Sequence, residues 1–465
     1  MALALTVPQR TGRVVASDLE IKVLGPCRYP SPLAKRLARA AIHYVGNADR
    51  VLLDDRLSVA STHGEPLRVP AFELAGPRDR VYFQTETLRC GIVTCGGMCP
   101  GVNNVIRGLV LELTQGYGVE HILGFRYGYR GLCPDAPHPV RLTPRSVGDI
   151  HHEGGTALGT SRGEQNARQM VDQLDELGIG ILFVIGGDGS LRGAMKLVAE
   201  IERRGLAIGV IGIPKTIDND IHFIDKSFGF ETAFSAAVDV IRGAHAEATG
   251  VFNGIAVVKL MGRHSGFIAC HAAIASTDVD AVLIPEVPTV LEGTNGLLAF
   301  LKQRLEQAHH ALCVVAEGAG QELFDGGFRG QDPSGNAKLN DVGVVLRDRI
   351  LSHFRDDACR MLERSERADA AQTPLDVTVK YIDPSYHIRS VPASPTDSLY
   401  CWNMARNAVH AALAGNTEML IGRWHGRFVH VPMPLATRFR KQVDSSGDLW
   451  MAVVESTGQP LSWGT

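Results

Sequence analysis

From about residue 88 the apolar positions fall into short continuous runs, separated by glycine turns and by longer stretches with helical spacing. "LRCGIVTC" (88–95), "HILGF" (121–125), "IGILFVI" (179–185), "AIGVIGI" (207–213) and "GIAVVKL" (254–260) read as strands. Between them, "GVNNVIRGLVLEL" (101–113), "ARQMVDQLDELG" (167–178), "SLRGAMKLVAEIERRG" (190–205) and a segment near 231–249 carry apolar residues at helical spacing. Strands with almost no polar position are buried on both faces, as in parallel sheets covered by helices on either side. The rhythm continues through "AVLIP" (281–285) and "ALCVVAEG" (311–318). The pattern predicts an α/β protein with βαβ units, too long for one ordinary open sheet; two sheets are expected, with a boundary near 228–232. Residues 1–87 lack the repeat and read as an N-terminal extension of mixed character. Two polar segments interrupt the rhythm: a Gly-rich loop at 324–338 and a stretch at 363–374 expected to be mobile.

The 465 residues suffice for two or three domains. A net charge of −3 gives no reason to expect a nucleic-acid or membrane partner, so any anion binding must come from local clusters. Of nine cysteines, Cys90, Cys270 and Cys313 sit in or beside apolar runs, as reduced buried thiols do. Cys95 and Cys99 share a glycine loop, but no second pair at metal-ligand spacing accompanies them, so the reading is a reducing, cytoplasmic compartment and not a zinc site. No apolar stretch reaches membrane-span length, and the apolar run at the start is too short for a secretion signal. The acid-poor start leaves a transit peptide as an alternative.

The chemistry concentrates in glycine turns. In open parallel sheets ligands gather at the carboxyl ends of the strands, where helix N-termini present N–H groups to anions. "TCGGMCPG" (94–101) and "GGDGS" (186–190) sit there, and neither has the spacing of a P-loop or a dinucleotide fingerprint. Asp188 would project beside an incoming anion, the place of a carboxylate that ligates Mg²⁺ carried on phosphate oxygens. Ser190 would cap the following helix, but capping alone does not require Gly187 and Gly189 around an aspartate. In "GIPKTIDND" (212–220), Lys215, Thr216, Asp218 and Asp220 crowd one loop; it reads either as a solvated turn or as a reacting site beside 186–190. A carboxylate close to a metal-bound phosphate can act as general base toward a hydroxyl, which favours phosphoryl transfer.

"GGDGS", "PKTIDND", "KLMGRHSGFIA" (259–269), "VAEGAGQ" (315–321) and "YIDPSYHIR" (381–389), in this order, resemble the phosphofructokinase family over about residues 88–450. The chain looks most like the ATP-dependent enzymes of the plant and trypanosomatid type, which stand near the pyrophosphate-dependent branch. The resemblance implies transfer of a terminal phosphate from MgATP to the 1-hydroxyl of fructose 6-phosphate, as in glycolysis. It implies two doubly wound, mostly parallel domains facing across a cleft: 88–229 plus 392–437 for the donor, and 230–391 plus 438–465 for the sugar phosphate. It also implies a homotetramer, with a homodimer as the alternative. By position, Gly97, Arg162, Gly187, Gly189 and Ser190 match donor contacts, and Asp188 the Mg²⁺ ligand. Asp218 matches the base, Asp220 its supporting acid, Thr216 and Lys215 groups near the transferring phosphate, and Arg263 the arginine beside it. Met261, Gly262, Glu317, Lys380, Tyr386 and Arg389 match the sugar phosphate site, with Lys380 where many relatives have arginine.

The chain departs from the short bacterial enzymes nine residues before Arg263, where their arginine reaches a neighbouring subunit and this chain has Gly254; Lys259 is a candidate substitute. The donor is read from position 189. Pyrophosphate users carry aspartate there, which would place negative charge where the α-phosphate of a nucleotide lies. Gly189 leaves that room, so Gly189 with Lys215 reads as ATP. Three alternatives stay open: pyrophosphate as donor, a non-catalytic regulatory subunit, and another sugar phosphate such as sedoheptulose 7-phosphate.

Overall fold

The computed structural model describes residues 14–36, 42–55, 69–324, 330, 338–365 and 376–464. Most of the 324–338 loop and residues 366–374 of the polar stretch lie outside the described residues, as does the start of the chain. The chain divides into two compact units. The first comprises Met1–Ile217, Ile221–Glu231 and Arg389–Arg440; the second comprises Asp218–Asp220, Thr232–Ile388 and Lys441–Thr465.

The first unit is built on a nine-stranded sheet. Its centre is parallel, running Met419–Trp424, Gly209–Pro214, Ile181–Gly186, Arg89–Thr94 and His121–Phe125. Ile181–Gly186 and Gly209–Pro214 are buried at every position, as their uninterrupted apolar runs require. Helices Val102–Leu111, Asp188–Arg203 and Pro395–Leu413 are each buried along an apolar face. Antiparallel strands close both margins: Val140–Arg141 on one side, and Arg427–Pro432, Ala71–Leu74 and Arg50–Leu52 on the other. The N-terminal extension therefore contributes two strands to this sheet. It is fastened by Glu73, which faces His430 across the sheet at 3.0 Å and takes a 2.8 Å ion pair from Arg78.

The second unit has a four-stranded parallel sheet in the order Ala281–Leu283, His310–Ala316, Gly254–Leu260 and Thr378–Ile382. Helices Phe230–Thr249, Phe267–Ser276, Leu297–Ala308 and Val342–Ser365 accompany it. At the open side of Ala281–Leu283, the Gln459 side chain takes the Val282 N–H (2.6 Å) and donates to the Val282 carbonyl (3.2 Å), standing in for a further strand. Gly254 is fixed by close approach, because a Cβ there would lie 2.2 Å from the Ala248 carbonyl oxygen. No arginine fits at this position. Lys259, the candidate substitute, is held in ion pairs to Asp341 (3.0 Å) and Asp383 (2.9 Å). No helix among the described residues is long and apolar enough to cross a membrane.

Candidate active site

In the first unit three neighbouring parallel strands end together. Thr94 stands opposite Ile185, and Gly186 opposite Pro214, so the turns that follow share one sheet edge. The Cys95 N–H bonds the Ile185 carbonyl (2.9 Å) and the Lys215 N–H bonds the Gly186 carbonyl (3.0 Å). The segment carrying Arg162 is tied to the same place. Thr160 Oγ1 donates to the Gly96 carbonyl (2.7 Å), and the Gly96 N–H bonds the Ser161 carbonyl (3.2 Å).

Three cations converge on this turn. Lys215 is buried and its Nζ donates to the Gly97 carbonyl at 2.6 Å. A Cβ at Gly97 would lie 3.5 Å from Arg389 Nη1 and 3.6 Å from Arg162 Nη2. Burial pulls the Lys215 pKa down, and the Arg162 and Arg389 guanidiniums push it the same way. So much positive charge beside a bare backbone turn is an arrangement that phosphate oxygens would neutralise. Arg389 thus lies beside Arg162 in the first unit, whereas Tyr386, three residues earlier, belongs to the second unit and is largely exposed.

The helix that follows the second turn starts at Asp188, with Gly187 at its N-cap and no side-chain cap bond. This corrects the expectation that Ser190 caps it: Ser190 is already inside the first turn. It is pressed toward the strand end, since a Cβ at Gly186 would lie 2.3 Å from the Ser190 Cβ. Gly187 is also tight, its added Cβ falling 3.3 Å from the Lys215 carbonyl. Gly189 differs. Its φ is outside the left-handed region and a Cβ there would meet nothing within 4 Å, so neither backbone geometry nor packing asks for glycine. Asp188 is partly buried, with Arg192 at 3.1 Å and Arg440 at 3.8 Å from Oδ2. Among the described residues no group of three or more His, Cys, Asp or Glu could hold a metal ion by itself. A lone carboxylate at a helix start suits a divalent ion that keeps its waters and arrives on phosphates.

The second unit holds most of the remaining residues that the sequence singled out. Asp218–Asp220 belongs to it, although its flanking residues Ile217 and Ile221 do not. Ser265 Oγ donates to the Asp218 carbonyl (2.9 Å), and the Lys441 N–H bonds the Asp220 carbonyl (2.9 Å). Strands Gly254–Leu260 and His310–Ala316 are paired to their ends, Leu260 opposite Ala316, which brings Met261, Gly262 and Arg263 beside Glu317. The Glu317 N–H bonds the Leu260 carbonyl (2.9 Å), and the Gly318 N–H the Gly262 carbonyl (3.2 Å). A Cβ at Gly318 would sit 2.1 Å from the Arg263 carbonyl, so the two turns touch through backbone. Lys380 is half-exposed on an edge strand, 3.8 Å from Glu247. Thr216 stays in the first unit, its carbonyl bonded by Ser227 Oγ. Ser265 is the residue whose part the sequence did not suggest. The signal was a polar residue within an otherwise packed "SGFIA" run, and it is fully buried.

The family profile described as "Phosphofructokinase" matches residues 89–412. An "ATP-dependent 6-phosphofructokinase" of Amycolatopsis methanolica is 50% identical over 456 residues, covering 96% of each chain. One of the same description from Trypanosoma cruzi is 42% identical over 448 residues, covering 96% of this chain and 88% of that one. A solved pyrophosphate-dependent phosphofructokinase from Marinobacter aquaeolei superposes with a TM-score of 0.60 at 19% identity, over 81% of this chain and 92% of that one, a likeness of fold.

Proposed function

The chain belongs to the phosphofructokinase family, and on that premise we propose that it transfers the γ-phosphoryl group of ATP to the 1-hydroxyl of fructose 6-phosphate, releasing ADP and fructose 1,6-bisphosphate in glycolysis. The observation that carries ATP as donor is Gly189: a glycine on a helix start with open space around its Cα, retained against its cost to the helix. A nucleotide that runs past the turn would use that space.

In this reading Gly97, Gly187, Gly189 and Ser190 line the donor phosphates, and Arg162 and Lys215 balance their charge. Asp188 would hold Mg²⁺, which would supply charge neutralisation for the donor phosphates. Asp218 takes the proton of the sugar 1-hydroxyl while its oxygen bonds the γ-phosphorus and the bond to the β-phosphate oxygen breaks. Asp220 supports Asp218, and Thr216 donates to the moving phosphoryl group. Arg263 stabilises its charge, and Met261, Gly262 and Glu317 hold the sugar. Lys380, Tyr386 and Arg389 serve the 6-phosphate. The placement of Arg389 next to Arg162 supports a part for it at the donor side as well. The enzyme acts in the cytoplasm as a homotetramer, with a homodimer the alternative.

The test is a pair of initial-rate measurements with fructose 6-phosphate and Mg²⁺, one with ATP and one with pyrophosphate. Activity with ATP alone is expected. Activity with pyrophosphate alone would overturn the donor assignment, and Asp218→Asn with near-normal turnover would overturn the base.

A further inference from the structure

Glu286 lies three residues beyond the end of strand Ala281–Leu283, and none of the roles above involves it. Its Oε1 accepts two backbone N–H bonds, from Gly266 at 3.0 Å and from Val443 at 2.8 Å. Those two residues belong to the segments that hold the Asp218–Asp220 loop. Ser265, next to Gly266, bonds the Asp218 carbonyl, and Lys441, two residues before Val443, bonds the Asp220 carbonyl. The side chain is mostly buried, and its Oε2 has no hydrogen-bond partner among the described residues. A buried carboxylate oxygen left unsatisfied costs stability, so helix capping alone is a poor reason to keep the group.

We propose that Glu286 is a positioning residue for phosphoryl transfer: one carboxylate oxygen ties together the two segments from which the Asp218–Asp220 loop is suspended. This rests on the reading of Asp218 as the base. The tie is short on both sides. A Cβ at Gly266 would lie 2.3 Å from the Ile284 Cγ2, so the 262–266 turn is pressed against the strand end that carries Glu286. The path from Oε1 to the Asp218 carbonyl is one hydrogen bond, one residue of backbone and one side-chain hydroxyl. Losing the tie frees both suspensions at once. A displacement of about 1 Å at a reacting group can cost about a hundredfold in rate.

The experiment is a double-mutant cycle on the full-length chain, measured as kcat at saturating ATP and fructose 6-phosphate, with nucleotide binding and thermal melting measured alongside. Glu286→Ala is expected to lower kcat by about ten- to a hundredfold with nucleotide affinity unchanged. Glu286→Gln, whose amide oxygen can accept the same two N–H bonds, is expected to recover most of that loss. In an Asp218→Asn background, Glu286→Ala is expected to lower the residual rate by less than about threefold, because the group it positions is already gone. An equal loss in both backgrounds would show a merely structural role and overturn the proposal, as would an unchanged kcat. If Glu286→Ala does not fold, Ser265→Ala takes its place in the cycle and must show the same non-additivity. Near-normal turnover in Asp218→Asn alone would instead overturn the base assignment, which separates the two failures.

Discussion

Replacing Gly189 should make the protein more stable and a worse ATP user. The residue is second in the helix Asp188–Arg203, has no left-handed φ, and a Cβ there meets nothing. Alanine would then cost the folded state nothing and would narrow the unfolded ensemble, a gain of roughly 0.4–1 kcal/mol. For a domain of this size that is a melting increase of about 1–4 °C. Aspartate adds a carboxylate in the first turn, where the helix dipole contributes roughly another 0.3–1 kcal/mol, less the repulsion from Asp188 beside it. Against a donor the same carboxylate works the other way. Two unit charges 4 Å apart at an effective dielectric of 20 repel by about 4 kcal/mol, equivalent to about a thousandfold in kcat/KM. Arg192 and Arg440, both beside Asp188, reduce that, so a loss of about ten- to a thousandfold is expected for Gly189→Asp and a smaller one for Gly189→Ala. Thermal melting and kcat/KM for ATP on the three proteins check both halves. An unchanged kcat/KM in Gly189→Asp, or lower melting in both variants, would refute the reasoning.

The other predictions concern the frame. Gly254→Ala should destabilise the protein by about 1–3 kcal/mol through the clash with the Ala248 carbonyl, seen as a lower melting temperature. Burial works to raise the Glu73 carboxyl, but hydrogen bonds from His430 and Arg78 outweigh it and bring its pKa down to about 2. A depressed carboxyl pKa stabilises the fold above the unfolded value near 4.5, and that contribution, up to about 3 kcal/mol, is lost as pH falls from there toward 2. Denaturant titrations across that window should show the loss, and Glu73→Gln should flatten it. His410, driven by burial down to about 3, must take up a proton when the chain unfolds, so stability should already decline as pH falls below about 6.5. Gln459→Ala should open the edge of Ala281–Leu283 and raise light scattering on heating more than it lowers the melting temperature.

The parallel core was legible because a strand buried on both faces leaves an unbroken apolar run, as "IGILFVI" and "AIGVIGI" do. The margins were not. Arg50–Leu52 and Ala71–Leu74 are three and four residues long and partly exposed, and Thr378–Ile382 alternates at an open edge; each is a strand only because a neighbour supplies its hydrogen bonds. In the candidate site, chemistry-bearing side chains announced themselves at strand ends, but their supports did not. Ser265 and Glu286 act through backbone carbonyls and N–H groups of distant segments, and such partnerships leave no spacing in the chain. Glu317 and Glu286 both follow apolar strands; only the fold shows that the second faces backbone N–H groups of two separate segments. The expectation that Ser190 caps its helix failed because the strand ends in Gly186 and Gly187 follows directly, which lets the helix begin at Asp188 with its N-cap three positions before Ser190.

Within five residues the chain leaves one compact unit, contributes Asp218–Asp220 to the other and comes back. The proposed base Asp218 thus belongs to a different compact unit from the glycine turns at 94–101 and 186–190, and the chain ties the 218–220 loop to the first unit on both sides. On the proposed reading, a fragment of the first unit alone would keep the donor turns and lack the base, and one of the second unit would keep the base and lack the turns.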